Sequence, residues 1–189
     1  MKPIFIIEHL EPKLWEWCLI EYKHISRIVG KKNVWFTNIR DGKSKLKPYG
    51  GVFGESVRTM KLANACVLDP DAKELLNPVN AAPFQYFIFG GILGEEGFNW
   101  RTKKELTRYL ASMKSFHLGD GQFSTDNAVY VTKQIIEGRT LGKMPFLDTA
   151  EIELKKGESV ILPYRYPLVK GKPHISRELV TYLKNKKSF

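Results

Sequence analysis

Apolar residues are spaced in two ways along the chain, and the two spacings alternate. Residues 2–9, KPIFIIEH, form a short apolar run that ends on Glu8 and His9, which predicts a buried first strand. Over residues 13–29 apolar side chains recur at intervals of three and four, and Gly30 follows, as is typical of an amphipathic helix with a C-terminal glycine. The run NVWFTN predicts a second strand. The chain therefore opens as β-α-β.

The same alternation continues to the C-terminus. ACVLDP, FQYFIFGG and SFHLG predict strands, and the wholly apolar residues 86–89 are typical of a central strand covered on both faces. TKKELTRYLASM predicts a short helix capped by Thr102, with Glu105 completing a capping box. FSTDNAVYVTKQIIEGRT predicts a more apolar helix that ends at Gly138. PFLDTAEIEL and ESVILPYRYPL predict extended segments, and ISRELVTYLKN a final helix capped by Ser176. The alternation predicts an α/β fold with a largely parallel sheet and helices on both faces.

One segment, residues 39–61, breaks the pattern. It is rich in glycine and lysine and has little apolar periodicity, so we expect a long basic insert loop of the functional or mobile kind. At 189 residues the whole chain, 1–189, is predicted to be a single domain.

Composition places the chain among soluble globular proteins, with 43% hydrophobic and 26% charged residues. No run approaches the ~18 apolar residues of a membrane span. Glu8 and Glu11 interrupt the N-terminal apolar run before a signal peptide could form, so we expect a cytoplasmic protein with no membrane partner. Cys18 and Cys66 are far apart and lack a nearby ligand pair, so no metal site is predicted and both are expected to be buried.

The charge is strongly positive and uneven. The formal net charge is +10, and residues 27–61 hold nine Lys or Arg against two acids. The tail, including the predicted basic C-terminal helix at 169–189, repeats the bias. Such a surface attracts polyanions, so RNA, or a protein bound to RNA, is the expected partner. A merely solvated basic face explains the same charges equally well.

Three glycine- or proline-marked segments carry the candidate chemistry. FIFGGILGEEG, LGDGQFSTD and LPYRYPL each belong to a predicted turn at the end of a strand. None contains GxGxxG or GxxxxGK[ST], so neither a Rossmann site nor a P-loop is supported. Taken singly, each turn is more often a connection than a ligand site. Because ligands of open α/β sheets bind outside the carboxyl ends of strands, the three segments could meet at one pocket. Glycines there would let backbone N–H and C=O groups approach and hydrogen-bond the edge of a flat heterocycle.

Four motifs in one order, FIIEHLEP, YFIFGGILGEEG, LGDGQFSTDNAVYVTKQIIEG and LPYRYPL, resemble a branch of the SPOUT methyltransferases. The characterised fungal member of that branch methylates an arginine of a small-subunit ribosomal protein, and archaeal relatives are often labelled RNA methyltransferases. The resemblance runs from residue 2 to about residue 168 and omits 39–61 and the tail. It implies a SPOUT fold whose C-terminal trefoil knot binds S-adenosylmethionine.

The resemblance also implies cofactor-binding residues. They are Phe89, Gly90, Gly91, Ile92, Leu93 and Gly94 in the first loop, Leu118, Gly119, Asp120, Ser124 and Thr125 in the second, and Pro163, Tyr164 and Arg165 in the third. Where this chain has Ser124, Thr125 and Asp126, the family often has Thr-Thr-Asp, so Ser124 keeps a hydroxyl. At the position of Tyr164 the family more often has Phe. Arg165 could bind the methionine carboxylate or a nucleic-acid phosphate.

An arginine acceptor needs a carboxylate that orients its guanidinium and accepts charge. Candidates at the strand ends are Glu8, Glu95, Glu96, Asp120 and Asp126. Glu8 is the first choice for a catalytic role, with His9 as the group that transfers a proton near neutral pH. The alternative is that both residues form a strand-end ion pair or a helix cap. Asp126 is a catalytic candidate by resemblance, and its place at a helix N-terminus also has a structural explanation.

Two acceptors stay open at this point. The resemblance favours an arginine of a ribosomal protein, with the basic insert near RNA, and the charge favours RNA itself as the substrate. A third interpretation, a non-catalytic binding module, is disfavoured because all four motifs, including the cofactor loops, are intact. The resemblance favours a monomer over a homodimer.

Overall fold

The structure is a computed structural model that describes residues 2–93, 101–155 and 157–186. Seven strands of the described chain form one sheet, in which every pair of neighbours is parallel. Its order is β3-β2-β1-β6-β4-β7-β5. The strands are β1 (Ile4–His9), β2 (Val34–Thr37), β3 (Gly51–Val52), β4 (Ala65–Leu68), β5 (Glu74–Leu75), β6 (Tyr86–Gly91) and β7 (Lys114–His117).

A smaller antiparallel sheet and the helices complete the described fold. The second sheet has the order β10-β9-β8 and consists of β8 (Phe146–Lys155), β9 (Glu158–Val169) and β10 (Lys172–Pro173). The helices are α1 (Glu16–Val29), α2 (Lys43–Leu46), α3 (Pro78–Ala81), α4 (Arg101–Glu105), α5 (Thr125–Ile136) and α6 (Arg177–Asn185). The predicted α/β fold with a largely parallel sheet is confirmed.

Strand β6 lies in the middle of the large sheet, as its unbroken apolar run predicted. Alternate side chains point to opposite faces of a strand. Phe87 and Phe89 therefore join the core under α1 and α5, where Phe5 stacks on both at centroid distances of 6.0 and 6.2 Å. Ile88 points the other way, towards a second core that contains Leu106. Helical segments thus cover both faces of the sheet.

Helix α1 has the predicted spacing of apolar residues and ends at Val29, directly before Gly30, as predicted. Its apolar stripe places Cys18, Tyr22 and Ile25 in the core, and Cys66 is buried as well. Gly30 has a φ of 85°, and its N–H donates to the Ser26 carbonyl at 2.8 Å. A positive φ of this kind favours glycine over other residues.

Residues 39–61 are more ordered than the predicted loop. They contain α2, the edge strand β3 and a 3₁₀ turn at Val57–Thr59. Ile39, Leu46 and Val57 are fully buried. These apolar residues are too far apart in sequence to produce a helical or strand period, which explains why the pattern indicated a loop.

Three local predictions need correction. LPYRYPL is extended, as predicted for ESVILPYRYPL, but it is not at a strand-end turn, because it lies inside β9, paired with β8. Thr102 is not a cap, because α4 already includes Arg101, whose guanidinium Nε donates to Glu105 Oε1 at 2.9 Å. Ser176 precedes α6, as predicted, but its side chain makes no capping hydrogen bond. The implied knot and the single-domain organisation stay predictions. Among the residues described, no helix is long and apolar enough to cross a membrane.

Candidate functional site

A cleft opens at the carboxyl ends of β6, β4 and β7, and it holds about 820 Å³ of space when its open, solvent-filled part is included. Ligands and cofactors of open α/β sheets bind in concave sites at such strand ends. Its apolar side chains are those of Leu68, Pro70, Phe89, Ile92, Phe116, Leu118, Phe123 and Ala128. Its polar side chains are those of Glu21, Asp69, Arg101, Thr102, His117, Gln122, Ser124, Thr125 and Tyr164. A wall that combines apolar and polar side chains fits a flat heterocycle that carries polar substituents.

Residues from all three predicted segments line this cleft. They are Phe89, Gly90 and Ile92 from the first, Leu118, Gly119, Ser124 and Thr125 from the second, and Tyr164 from the third. The strands β6 and β7 both end here because they run parallel in one sheet, with β4 between them. The expectation that the segments meet at one pocket is thus met, although the third arrives from a strand of the other sheet.

Two glycines of the strand ends lie in this wall, and glycine is favoured by backbone conformation at one of them. Gly119 has a φ of 87°, and a Cβ there would lie 2.5 Å from Leu141 Cδ2. A Cβ on Gly90 would lie 3.1 Å from Ile92 Cδ1, the flexible end of a side chain, and the Thr125 hydroxyl donates to the Gly90 carbonyl at 3.3 Å.

Gly91 and Leu93 are not part of the cleft wall. A Cβ on Gly91 would lie 2.2 Å from Tyr22 Oη, so this glycine is required by packing beneath the sheet. The Leu93 amide donates to Glu11 Oε1 at 2.9 Å, and Arg101 donates to the same oxygen at 2.8 Å. These bonds fix the end of the first loop. The predicted residue Gly94 and the candidate acids Glu95 and Glu96 lie outside the described residues.

Arg165, Asp120 and Pro163 also lie away from the described wall. Arg165 Nη1 donates to the Asp120 carbonyl at 2.5 Å, and its Nε is 2.9 Å from Asp148 Oδ1. The guanidinium also lies over the ring of Phe146, at 4.7 Å from its centroid. Because these contacts engage Arg165 within the protein, it is placed to hold the second glycine loop against β8 and β9. That it binds a carboxylate or a phosphate stays a prediction.

Glu8, the first choice for the catalytic acid, is fully buried and lies outside the cleft wall. Its carboxylate accepts hydrogen bonds from Thr37 Oγ1 and Ser56 Oγ, each at 2.5 Å, and from the Val57 amide at 2.9 Å. These bonds tie β1 to β2 and to residues 39–61. These bonds give Glu8 a structural role, and its catalytic role stays a prediction.

His9 does not line the cleft. Its Nδ1 is 2.8 Å from Tyr22 Oη, and burial lowers its pKa by more than the nearby charges of Glu11 and Glu8 raise it. It lines a different pocket, between residues 9–14 and 38–41. Neither the expected proton-transfer pairing with Glu8 nor the alternative ion pair is formed among the described residues.

Asp126 lies behind the cleft, at the start of α5. Its Oδ1 accepts from Ser124 Oγ at 2.6 Å and from the Asn127 amide at 2.9 Å. Its Oδ2 is 2.7 Å from His24 Nδ1. The contact with the Asn127 amide is the helix-terminal role that the sequence offered as an alternative, and the contact with His24 is a feature that the sequence did not indicate.

Glu21 is the acid that the sequence analysis missed. It is 6% exposed, lines the cleft, and accepts a hydrogen bond from Trp17 Nε1 at 2.9 Å. Burial, together with the nearby charge of Asp126, raises its pKa well above the usual range. Its position could have signalled this, because it lies four residues after Trp17 and four before Ile25, within the apolar stripe of α1.

Tyr164 and Asp69 are the other notable polar groups of the wall. Burial raises the pKa of Tyr164 to about 12, with a smaller contribution from the charge of Glu21. Asp69 is 2% exposed and accepts from the Asp71 amide at 3.0 Å. Among residues 2–93, 101–155 and 157–186, no group of His, Cys, Asp and Glu is arranged to hold a metal ion.

Comparison with known proteins gives matches along nearly the whole chain. A family model described as protein arginine N-methyltransferase SFM1-like matches residues 4–188. The protein arginine N-methyltransferase SFM1 of Saccharomyces cerevisiae is 33% identical, over 95% of this chain and 93% of the yeast protein.

Solved structures agree with the sequence comparison. Yeast SFM1 complexed with SAM has a TM-score of 0.87 and 32% identity, over 97% of this chain and 91% of that one. The same enzyme complexed with SAH also has a TM-score of 0.87, over 96% and 94% of the two chains. The dual-specific Trm10 of Thermococcus kodakaraensis has a TM-score of 0.52 at 16% identity, over 74% of this chain and 95% of that one, and so shares the fold.

Proposed function

The chain belongs to the SFM1-like family of protein arginine N-methyltransferases, and we propose that it methylates an arginine of a small-subunit ribosomal protein. It is an S-adenosylmethionine-dependent methyltransferase of the SPOUT class. When bound, S-adenosylmethionine supplies a methyl group on a sulfonium, ready for in-line displacement. The residues that bind the cofactor and the acceptor are proposed below.

The cleft fits this cofactor. We propose that the backbone around Gly90 and Gly119 faces the adenosine, since both glycines line the cleft. Phe89, Ile92 and Leu118 supply the apolar wall. The hydroxyls of Ser124 and Thr125 lie at the same wall, at the beginning of α5. The positive end of that helix favours a carboxylate nearby.

Glu21 is the observation that carries the proposal of an arginine acceptor. A protein of net charge +10 repels a guanidinium unless an acid lies where the acceptor enters. Glu21 places a carboxylate in the cleft wall, and from the described part of the chain that carboxylate accepts one side-chain hydrogen bond, from Trp17. It is therefore able to accept a second hydrogen bond, from the acceptor nitrogen. Glu21 replaces Glu8 in the role of orienting the guanidinium.

The exposed lysines of residues 39–61 support a partner that contains RNA. Lys43, Lys45 and Lys47 lie on or directly after α2 and are all exposed, whereas Leu46 is buried beneath them. A ribosomal protein in contact with rRNA would present both an arginine and phosphates to one enzyme. RNA as the methyl acceptor is the second candidate, and these same lysines favour it. Direct transfer to RNA is therefore an outcome that the experiment must be able to detect.

The test supplies tritiated S-adenosylmethionine and undermodified small ribosomal subunits, then separates protein from RNA and counts each. We expect label in one ribosomal protein, lost when its target arginine is changed to Lys. Label in RNA instead would overturn the arginine acceptor. Light scattering of the same preparation tests the predicted monomer.

The role of Glu21 is tested with Glu21→Gln, and Glu16→Gln is the matched control on the exposed side of α1. We expect Glu21→Gln to lower kcat by about 10²- to 10⁴-fold, the range of a lost acid–base group. Its affinity for S-adenosylhomocysteine, which lacks the sulfonium charge, should stay close to that of the parent protein. An equal kcat for both variants would remove Glu21 from the reaction.

A further inference from the structure

An exposed tryptophan stands at the beginning of α1. Trp15 directly precedes the helix, is 46% exposed, and makes no capping hydrogen bond with its side chain. Single exposed apolar residues are common on protein surfaces. Here, however, the Lys13 ammonium lies over the indole ring, 5.8 Å from its centroid, and no other ring of the described chain stacks on it. A flat apolar surface and a cation are therefore presented together.

A polar pocket adjoins this tryptophan at the carboxyl ends of β1 and β2. It is lined by residues 9–14, Asn38, Arg40 and Asp41. Lys13 belongs to its wall and so connects the pocket to Trp15. Leu14 packs against the basic segment 39–61, since a Cβ on Gly42 would lie 3.0 Å from Leu14 Cδ2. The pocket therefore lies between the start of α1 and that segment.

The pocket combines polar groups of both signs that have no internal partner. Arg40 and Asp41 are exposed, and neither makes an ion pair within the described chain. The Asn38 amide nitrogen donates to the His9 carbonyl at 2.7 Å, while its oxygen accepts no hydrogen bond from the described residues. A guanidinium, a carboxylate and an amide oxygen are thus available to a ligand in one place.

This pocket borders the cleft. The Leu10 amide donates to the Gly91 carbonyl at 3.1 Å, because β1 and β6 end side by side. Glu11 of the pocket wall accepts a hydrogen bond at 2.8 Å from Arg101, which belongs to the cleft wall. One ion pair therefore separates the two sites, and a ligand in the pocket lies next to whatever is bound in the cleft.

The mixture of groups indicates the class of ligand. A nucleotide in an unpaired strand presents a flat base, hydrogen-bond donors at the edge of that base, and an anionic phosphate. An inorganic anion would match Lys13 and Arg40 but would be repelled by Asp41. A basic peptide would match Asp41 but would be repelled by the two cations. In a duplex the face of the base is already stacked and is closed to Trp15.

We propose that Trp15 and this pocket bind an unpaired stretch of RNA beside the cleft. The base stacks on Trp15, Lys13 and Arg40 contact phosphates, and Asp41 accepts a hydrogen bond from the edge of a base. The exposed lysines of α2 follow Arg40 along the chain and extend the basic surface. This proposal rests on the proposed function for its partner, because it gives the RNA of that partner a contact next to the methylated arginine.

The first test measures the fluorescence anisotropy of a labelled single-stranded oligoribonucleotide of mixed sequence. We expect Trp15→Ala to lower the affinity by about fivefold to a hundredfold, the range of one lost base stack. Trp15→Phe keeps a ring and should retain most of the affinity. Duplex RNA of the same sequence should bind equally to the parent protein and to Trp15→Ala. Circular dichroism shows whether each variant is folded.

Tyr109→Ala is the matched control for the loss of an exposed ring. Tyr109 is 49% exposed and carries the Arg58 and Arg108 guanidinium groups at 4.1 and 4.5 Å from its centroid, but it lines neither the pocket nor the cleft. We expect this variant to keep the parent affinity. An equal loss in the Tyr109 and Trp15 variants would overturn the proposal, and so would parent affinity in Trp15→Ala.

Arg40→Gln tests the phosphate contact. It should reduce the slope of log affinity against log salt by about 0.7, the contribution of one phosphate in a single strand. Arg139→Gln, an exposed cation beyond the far end of α5, is the control and should leave the affinity and the slope unchanged. An equal effect of both changes would mean that only the overall charge matters, which would refute a contact at Arg40.

Tryptophan fluorescence separates RNA from a peptide as the occupant. We expect the oligoribonucleotide to quench the parent protein more than Trp15→Phe. Quenching of Trp15 by an arginine-containing peptide, and not by RNA, would assign the surface to a polypeptide and overturn the proposal. These binding measurements contain no methyl donor or acceptor. Their failure would therefore leave the arginine acceptor standing, and their success would not depend on where the methyl group is transferred.

Discussion

Replacing Gly91 by alanine tests the reasoning that this glycine serves the core and not the cofactor. Gly91 ends β6, and an added Cβ would lie 2.2 Å from Tyr22 Oη and 3.0 Å from Ile7 Cγ2. Tyr22 is 1% exposed, stacks on Phe36 at 5.1 Å and makes the hydrogen bond to His9 Nδ1. Its rigid ring has little freedom to withdraw, so the whole group must shift.

The size of the effect follows from these contacts. Forcing an extra carbon into a packed core costs typically ~1–3 kcal/mol. Breaking the buried bond between Tyr22 and His9 adds about 1 kcal/mol. We therefore expect Gly91→Ala to lower the free energy of unfolding by about 2–4 kcal/mol, which corresponds to a fall in Tm of roughly 5–15 °C for a domain of this size.

Gly90→Ala is the matched control, one residue earlier in the same strand. Its Cβ would meet Ile92 Cδ1 at 3.1 Å and Leu10 Cδ1 at 3.4 Å, both at the ends of flexible side chains. We expect a loss of less than about 1 kcal/mol in stability for this variant. Urea unfolding followed by circular dichroism gives the free energies of unfolding of both variants.

A double-mutant cycle identifies the cause. Tyr22→Phe removes the oxygen that the new Cβ would meet, so part of the cost of Gly91→Ala should disappear in that background. Equal stability of the Gly91 and Gly90 variants would refute the packing argument. A cost of Gly91→Ala that is the same with Tyr22 and with Phe at that position would show that the strain lies elsewhere.

Three further predictions follow from the contacts described above. Glu8→Gln should lower the free energy of unfolding by about 2–4 kcal/mol, because its amide group must face a donor, while cofactor affinity measured by calorimetry should stay close to that of the parent. Burial, with a smaller contribution from the charge of His24, lowers the pKa of His174 from 6.5 to about 4. The unfolded chain therefore binds a proton first, and this part of the stability is full above pH 6.5 and is lost as the pH falls towards 4. His174→Gln should flatten the dependence of Tm on pH in that window. Arg165→Ala should weaken S-adenosylmethionine binding and leave Tm within a few degrees, since its partner Asp148 is 73% exposed and such pairs contribute at most ~1 kcal/mol; unchanged affinity would show that the second glycine loop needs no such support.

Much of the fold could be predicted because each central strand carries its own local pattern. The run at 86–89 indicates a strand covered on both faces, and the structure confirms it. The spacing in α1 and its final glycine are equally local signals. The segment LPYRYPL is extended, as its prolines predicted, but its place inside a long strand and not at a strand-end turn depends on β8, which pairs with it from another part of the chain.

The candidate site was less predictable, because its acids depend on distant partners. Glu8 was predicted at the reaction centre. The groups that hydrogen-bond its carboxylate belong to Thr37, Ser56 and Val57, and sequence spacing does not connect these residues to Glu8. The spacing of Glu21 within the apolar stripe of α1 indicates that it is buried, but its place in the cleft wall depends on strands and loops that lie far away in sequence. The glycine loops were found from their resemblance to a family, since each alone is an ordinary turn.

The position of β6 between β1 and β4 has a consequence for the order of folding. The first strand pairs along its whole length with residues that follow much later, from Ile4 with Tyr86 to His9 with Gly91. On the ribosome, β1 and β2 are synthesised early but cannot be enclosed until the chain has been made beyond Gly91. Sheets that depend on such distant pairings fold slowly and expose apolar strands meanwhile. The nascent N-terminal third is thus the part of this protein with the greatest need of a chaperone.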